Sequence, residues 1–181
     1  MSFMFASDLH GSLYYGEKVF ECYEKEQPEK LILLGDLLYH GARNDFPEGY
    51  STKGLTALLN EHKNDIIAVR GNCDSEVDQM VLEFPIMADY IMMYADGRPF
   101  IITHGHVFDE TRMIPHTPGT VLVHGHTHLK ITEKIDDFYY INPGSAALPK
   151  DDEEHSYMMY DAGVFTIKNF DGKVLKTITL E

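Results

Sequence analysis

Five short polar clusters each follow directly on a strand-like apolar run: Asp8-Leu9-His10, Gly35-Asp36, Gly71-Asn72-Cys73-Asp74, His104-Gly105-His106 and His124-Gly125-His126-Thr127-His128. This arrangement constrains the fold, because functional loops of open α/β sheets gather at the carboxyl ends of strands. Residues i and i+2 of an extended segment project to the same side, so Asp8 and His10, or His126 and His128, can reach one common point. Imidazole and carboxylate at that spacing suit a metal ion, and the neighbouring glycines let backbone and ligand approach closely.

The rest of the pattern supports such a frame. The first half alternates short apolar runs with amphipathic stretches, the signature of β-α-β units and a mainly parallel sheet. Strands are expected over 3–7, 30–34 and 66–69. A helix capped by Ser12 should bury Leu13, Val19, Phe20 and Tyr23 and break at Gln27-Pro28; further helices are expected over 52–62 and 75–82. Asp96-Gly97 between 91–94 and 99–103 signals a hairpin, where pairing turns antiparallel, and 121–123 is expected to continue the same sheet. Strand-like segments at 130–135, 138–141, 156–160, 164–168 and 174–180 suggest a second, meander-like sheet packed face to face on the first within one domain, 1–181, with helices outside.

Composition narrows the function classes. A chain of 181 residues with 44% hydrophobic side chains can bury one substantial core. The formal net charge of −14 opposes binding to long nucleic acids, which uses a basic face to displace counterions. No run reaches the roughly 18–20 apolar residues of a membrane span, and no basic-then-apolar leader is seen at the N-terminus. Two cysteines, Cys22 and Cys73, in unrelated local patterns imply reduced thiols, and with them a cytoplasmic location.

Taken singly, most of the clusters have ordinary explanations. Asp8 could cap the helix after it, Asp36 could form a turn after Gly35, Asn72 could sit in a left-handed loop, and His104 and His106 could be hydrogen-bonded strand-end imidazoles. The 124–128 run fits neither a core strand nor a usual turn. Their joint order is more specific. Asp-x-His, Gly-Asp, Gly-Asn, a Gly-flanked His and Gly-His-Thr-His resemble the calcineurin-like metallophosphoesterase superfamily, and within it the small bacterial YfcE-type phosphodiesterase group. The similarity runs through 4–11, 34–41, 68–79, 103–106, 125–129 and 142–145, almost the whole chain.

The resemblance implies an α/β fold, a four-layer αββα sandwich of two packed mixed β-sheets. It implies that Asp8, His10, Asp36 and His128 hold one divalent cation and that Asn72, His104 and His126 hold a second, with Asp36 shared. By the same analogy the two ions are Mn²⁺, with Zn²⁺, Fe²⁺ or Ni²⁺ as alternatives. The implied reaction is hydrolysis of a small phosphodiester by attack of a metal-bridging hydroxide, which needs no protein nucleophile and so demotes Ser12, Ser75 and Ser145.

Cys73 departs from the pattern. Many superfamily members carry histidine after this asparagine, where it can protonate the leaving oxygen; a thiol with an ordinary pKa of about 8.5 does that poorly. Cys73 is therefore either a weak catalytic contact beside Asn72 or a small packing residue. Arg43 and Asn44 could touch a phosphate or form a solvated loop, His106 could contact substrate or be an ordinary imidazole, and the 142–145 segment forms a turn that could also shape the site. The aromatic segments 138–140 and 157–160 could line a homodimer or larger homo-oligomer, or pack within the sheets. A rival reading comes from the Vps29 scaffold, which is similar in fold: a metal-binding interaction protein with little or no catalytic activity.

Overall fold

The computed structural model describes residues 1–150 and 154–181. Two mixed sheets stack face to face. The larger takes the strands β1 (Ser2–Ala6), β2 (Lys30–Leu33), β3 (Ile66–Ala68), β9 (Ser156–Asp161), β10 (Val164–Asn169) and β11 (Val174–Thr179), in the order β11-β10-β9-β1-β2-β3. The smaller takes β4 (Tyr90–Ala95), β5 (Arg98–Thr103), β6 (Val121–Val123), β7 (Lys130–Ile135) and β8 (Phe138–Pro143), in the order β4-β5-β6-β8-β7.

The period of two along each strand divides the core. In β1, Phe3 and Phe5 enter the layer between the sheets with Phe100, Val121, Tyr160 and Phe165, while Met4 and Ala6 face the helices. Those helices are α1 (Leu13–Glu26) and α2 (Thr52–Glu61), which press Val19, Phe20, Leu55 and Leu59 onto the sheet. As expected, Ser12 caps α1, accepting from the Tyr15 N–H at 3.1 Å, and Gln27 ends it in a left-handed conformation with φ 54°. Val19 and Phe20 are buried, but Leu13 and Tyr23 are only partly so; Tyr15, Gly16 and Cys22 complete the inward face. The outer side of the smaller sheet, with Ile101, Leu122 and Tyr140, is covered by Met113 and Ile114 of an irregular segment.

The expected division of strands between sheets needs correction. Segment 121–123 does not continue the first sheet, and the five late strands do not form a meander of their own. The hairpin β4-β5 starts the smaller sheet, which β6, β7 and β8 join, whereas β9-β11 return to the larger sheet with β9 antiparallel to β1, Phe3 opposite Tyr160. Both outcomes bury the same alternating faces, so local pattern does not choose between them; the choice is made by long-range pairing. The aromatic segments 138–140 and 157–160 are buried within the chain, so they pack the sheets and do not form a surface between copies.

This topology aims the site. β1, β2 and β3 are mutually parallel, as are β5, β6 and β8, and the clusters at 8–10, 35–36, 71–74, 104–106 and 124–128 follow the ends of β1, β2, β3, β5 and β6. Five strand ends from two sheets thus open on one edge of the sandwich.

Candidate metal centre

Asp8, His10, Asp36, His126 and His128 all adopt left-handed backbone conformations, with φ between 47° and 65°. This region is uncommon for residues with a Cβ and marks strain that the surrounding structure must hold in place. Backbone bonds do so here: His10 N–H donates to the Asp36 carbonyl at 2.9 Å, and Asp8 N–H to the Gly35 carbonyl at 3.1 Å. Ser145 Oγ donates to the Asp8 carbonyl at 2.9 Å, and Asn142 donates through Nδ2 to the Gly125 carbonyl at 2.7 Å and Thr127 Oγ1 at 3.0 Å. The 142–145 segment is thereby both a turn and a support for the site.

Two glycines permit the closest approaches. A Cβ on Gly71 would stand 2.1 Å from Asp36 Oδ1, and one on Gly125 would stand 1.9 Å from Ser7 Oγ. Their absence lets the carboxylates be gripped by backbone: Cys73 N–H donates to Asp36 Oδ1 at 2.8 Å and His126 N–H to Asp8 Oδ2 at 3.0 Å. Ser7 Oγ also donates to Asp8 Oδ2. In each carboxylate one oxygen is held from behind and the other faces the imidazoles.

The imidazoles are oriented in the same way. His10, His104 and His128 each set Nδ1 against a backbone carbonyl, of Tyr39, Leu34 and Leu148 respectively. A carbonyl only accepts, so Nδ1 carries the hydrogen and Nε2 presents its lone pair inward. His128 Nε2 lies 3.2 Å and His10 Nε2 3.5 Å from Asp8 Oδ1, and the two Nε2 atoms are 3.3 Å apart. Asp36 Oδ2 lies 3.7 Å from His10 Nε2 and 3.5 Å from His104 Nε2, and Asn72 Oδ1 is 3.1 Å from His104 Nε2. The His126 ring stands 5.0 Å from that of His104.

Lone pairs converging on one another repel unless a positive charge sits among them. Asp8 Oδ1 is buried without a hydrogen-bond partner, an expensive state that a cation would relieve. Asp8, His10 and His128, and likewise Asp8, Asp36 and His104, bring donor atoms within 4.8 Å of one another. Oxygen and imidazole donors of this kind fit a divalent transition metal.

Protonation follows the same field. Burial would raise the Asp8 carboxyl, yet contacts with His10 and His128 hold it well below the usual carboxylate range. Where a proton rather than a metal ion answers these carboxylates, it sits on His104: burial opposes charge there, but the contact with Asp36 outweighs this and pushes its pKa up to about 9. In that protonated state burial, with the charge on His104 nearby, takes His106 down to about 4 and lowers His126.

The centre opens into a cavity of about 720 Å³. Asn72, Cys73, His126 and His128 line it, together with Tyr39 and Arg43. Burial, with Asp36 beside it, pushes the Cys73 thiol up to about 12. Asn44 is occupied with the loop, donating to the His40 carbonyl at 2.8 Å. His124 turns away from the centre: its ring stacks on Tyr140 at 4.2 Å and its Nδ1 faces the Gly125 carbonyl. Both cysteines are free thiols.

Sequence reasoning missed one residue of consequence. Asp74 is buried, with Oδ2 accepting from the N–H groups of Asp36 at 2.8 Å and Gly71 at 2.7 Å, and Oδ1 from Leu37 N–H at 2.8 Å. It joins the loops after β2 and β3. An acid between a metal-type cluster and a helix start was visible, but nothing local told it from an ordinary cap. Lys150, which also lines the cavity, carried no sequence signal.

Residues 1–163 match the family model described as calcineurin-like phosphoesterase superfamily domain. The chain is 44% identical over 167 residues to phosphodiesterase YfcE of Escherichia coli strain K12, covering 92% of this chain and 91% of that one. It is 32% identical to phosphodiesterase MJ0936 of Methanocaldococcus jannaschii, over 76% and 80% of the two chains. A solved structure of the E. coli phosphoesterase YfcE superposes with TM-score 0.97 at 41% identity, covering both chains fully. Zinc-bound Vps29 from Entamoeba histolytica shares the fold alone, with TM-score 0.62 at 16% identity over the full length of both chains. With the matching family model spanning nine-tenths of its length and the donors gathered at the strand ends, the chain belongs to the calcineurin-like phosphoesterase superfamily.

Proposed function

We propose that this chain is a phosphodiesterase that works with two divalent cations sharing Asp36. The observation that carries the reading is the unpaired, buried Asp8 Oδ1 facing the Nε2 atoms of His10 and His128, in a chain 44% identical to a named phosphodiesterase. Asp8, His10, Asp36 and His128 would hold one cation, and Asn72, His104 and His126 the other. When bound, such a pair lowers the pKa of a water and neutralises charge on the phosphoryl oxygens.

The protein's share is orientation. Asp36 Oδ2 faces both His10 and His104, the position required of a shared ligand, while Cys73 N–H holds the other oxygen. Asn72 adds an amide oxygen without placing another negative charge near the phosphate. The serines are engaged elsewhere: Ser12 with the Glu48 carbonyl, Ser75 with Asp78 and Ser145 with the Asp8 carbonyl. That leaves activated water as the nucleophile. Cys73, a neutral thiol at the cavity wall, supplies a weak proton donor at best, so substrates with acidic leaving groups are favoured.

The carboxylate, amide and imidazole set suits Mn²⁺, with Fe²⁺, Zn²⁺ or Ni²⁺ as competitors. We extend the reading to a small phosphodiester as substrate and a cytoplasmic location. Among the described residues no helix is long and apolar enough to cross a membrane. The test is hydrolysis of a chromogenic phosphodiester by protein of measured metal content, with Mn²⁺ and with chelator. Mn²⁺-dependent turnover supports the reading; bound metal without turnover of any phosphodiester selects the scaffold alternative.

A further inference from the structure

Beside the metal cavity runs a second cavity, of about 370 Å³, that the mechanism does not use. Its walls come from the first turns of α2 and from α3 (Glu76–Val81), with Leu38, Tyr39 and Tyr50 between them. Tyr39 lines both cavities. So does the start of α3, where Ser75 borders the metal cavity and Val77 and Asp78 border the groove. An organic group attached to a phosphate at the cations therefore has a short way to go to enter it.

The groove is mostly apolar; the exposed Lys53 also lines it, and two of its other polar side chains, Asp78 and Thr56, are already engaged. Asp78 Oδ2 accepts from Ser75 N–H at 2.8 Å and from Ser75 Oγ at 2.9 Å, and Thr56 Oγ1 donates to the Thr52 carbonyl at 2.8 Å. α3 buries none of its residues, and Val77 and Val81, four apart on one face, are 67% and 47% exposed. Two valines left to water on one short helix, over a concave surface, mark a binding site more than a folding need. The volume lies within the range of about 300–1,000 Å³ typical of small-molecule pockets, which combine apolar walls with few polar groups.

We propose that this groove is the subsite for the ester group that stays on the phosphate when the other leaves, and that it takes an uncharged aromatic or similarly bulky apolar group there. The assignment rests on the phosphodiesterase reading above and names its substrate class. Tyr39 is the shared wall: its carbonyl orients His10, at 2.9 Å from Nδ1, and the residue lines both cavities. Selectivity arises because burying the apolar group releases water from Val77, Val81 and Tyr50, a gain that a methyl ester cannot make.

The test compares two diesters on the Mn²⁺-loaded full chain, bis(4-nitrophenyl) phosphate and methyl 4-nitrophenyl phosphate. Val77→Asp makes the groove polar at an exposed helix position, and Thr56→Trp fills it; neither residue belongs to the metal machinery. Each variant is expected to raise KM for the bis-aryl ester about tenfold and to leave kcat/KM for the methyl ester within twofold of wild type. Equal effects on both esters, or none on either, overturn the subsite. A change confined to oligomeric state on gel filtration, with both esters unaffected, overturns it in favour of an interface between copies. If the wild-type chain hydrolyses neither ester, the phosphodiesterase reading has failed, and the subsite with it; wild-type turnover of both with no discrimination by the variants sinks the subsite alone.

Discussion

The carboxylate of Asp74 holds the backbone N–H of Asp36 at 2.8 Å, so the acid that faces both imidazole groups is itself fixed by a second, fully enclosed acid. The same Asp74 oxygen takes the Gly71 N–H, which ties the loop carrying Asn72 and Cys73 to the loop carrying Asp36. Replacing Asp74 by Asn keeps the shape but gives up charge and one acceptor oxygen. Stability should fall by about 1–3 kcal/mol and metal affinity by roughly 10–100-fold. Thermal unfolding and a Mn²⁺ titration of Asp74→Asn check both; unchanged affinity would mean that Asp74 serves the fold alone.

Gly71→Ala tests the approach of backbone to carboxylate. Its Cβ would overlap Asp36 Oδ1 at 2.1 Å, and the neighbours are backbone and a pinned side chain that cannot withdraw cheaply. A loss of about 1–3 kcal/mol is expected, together with weakened metal binding. A variant as stable as wild type, with normal Mn²⁺ uptake, would show that the loops relax freely.

Cys73→His tests proton donation at the leaving oxygen. An imidazole at this position should raise turnover of phosphomonoesters relative to activated diesters by about tenfold or more, within the range general acids provide. If the ratio stays constant, position 73 only packs.

Away from the centre, Glu26 binds Lys168 at 2.8 Å and the Tyr157 hydroxyl at 2.8 Å. Burial would raise its carboxyl, but these partners lower it below its ordinary 4.5. A depressed folded pKa gives stability that is present above the unfolded value and is lost as pH falls through the folded one. Glu26→Gln should therefore be less stable than wild type at pH 7, by roughly 1 kcal/mol for a partly exposed pair, and the gap should close below about pH 4. Melting curves across that range decide it; a gap that persists at pH 3 contradicts the ion-pair account.

Much of the candidate centre was legible in the sequence because the donor atoms that a metal would need stand at strand ends. Asp8, His10, Asp36 and His104 stand there with little choice of side chain, and the 124–128 run could not be read as core. The structure sorted that run by direction, aiming His126 and His128 at the cavity and stacking His124 on Tyr140. Strand positions were likewise legible from period-two burial, as in Phe3 and Phe5 against Met4 and Ala6. Sheet membership was not, because β9 pairs with β1 across more than 150 residues of chain, and no local pattern encodes that partner. Asp74 was overlooked for a similar reason: its three donors come from two other loop positions, Asp36 and Leu37, and from Gly71.

In the proposed function, seven donors gather two cations around a common aspartate. Anomalous scattering from crystals grown with Mn²⁺ tests it most directly. The account predicts two manganese peaks about 3.5–4 Å apart, both in contact with Asp36, one also with Asp8, His10 and His128 and the other with Asn72, His104 and His126. A single peak, or two that do not share Asp36, would contradict it.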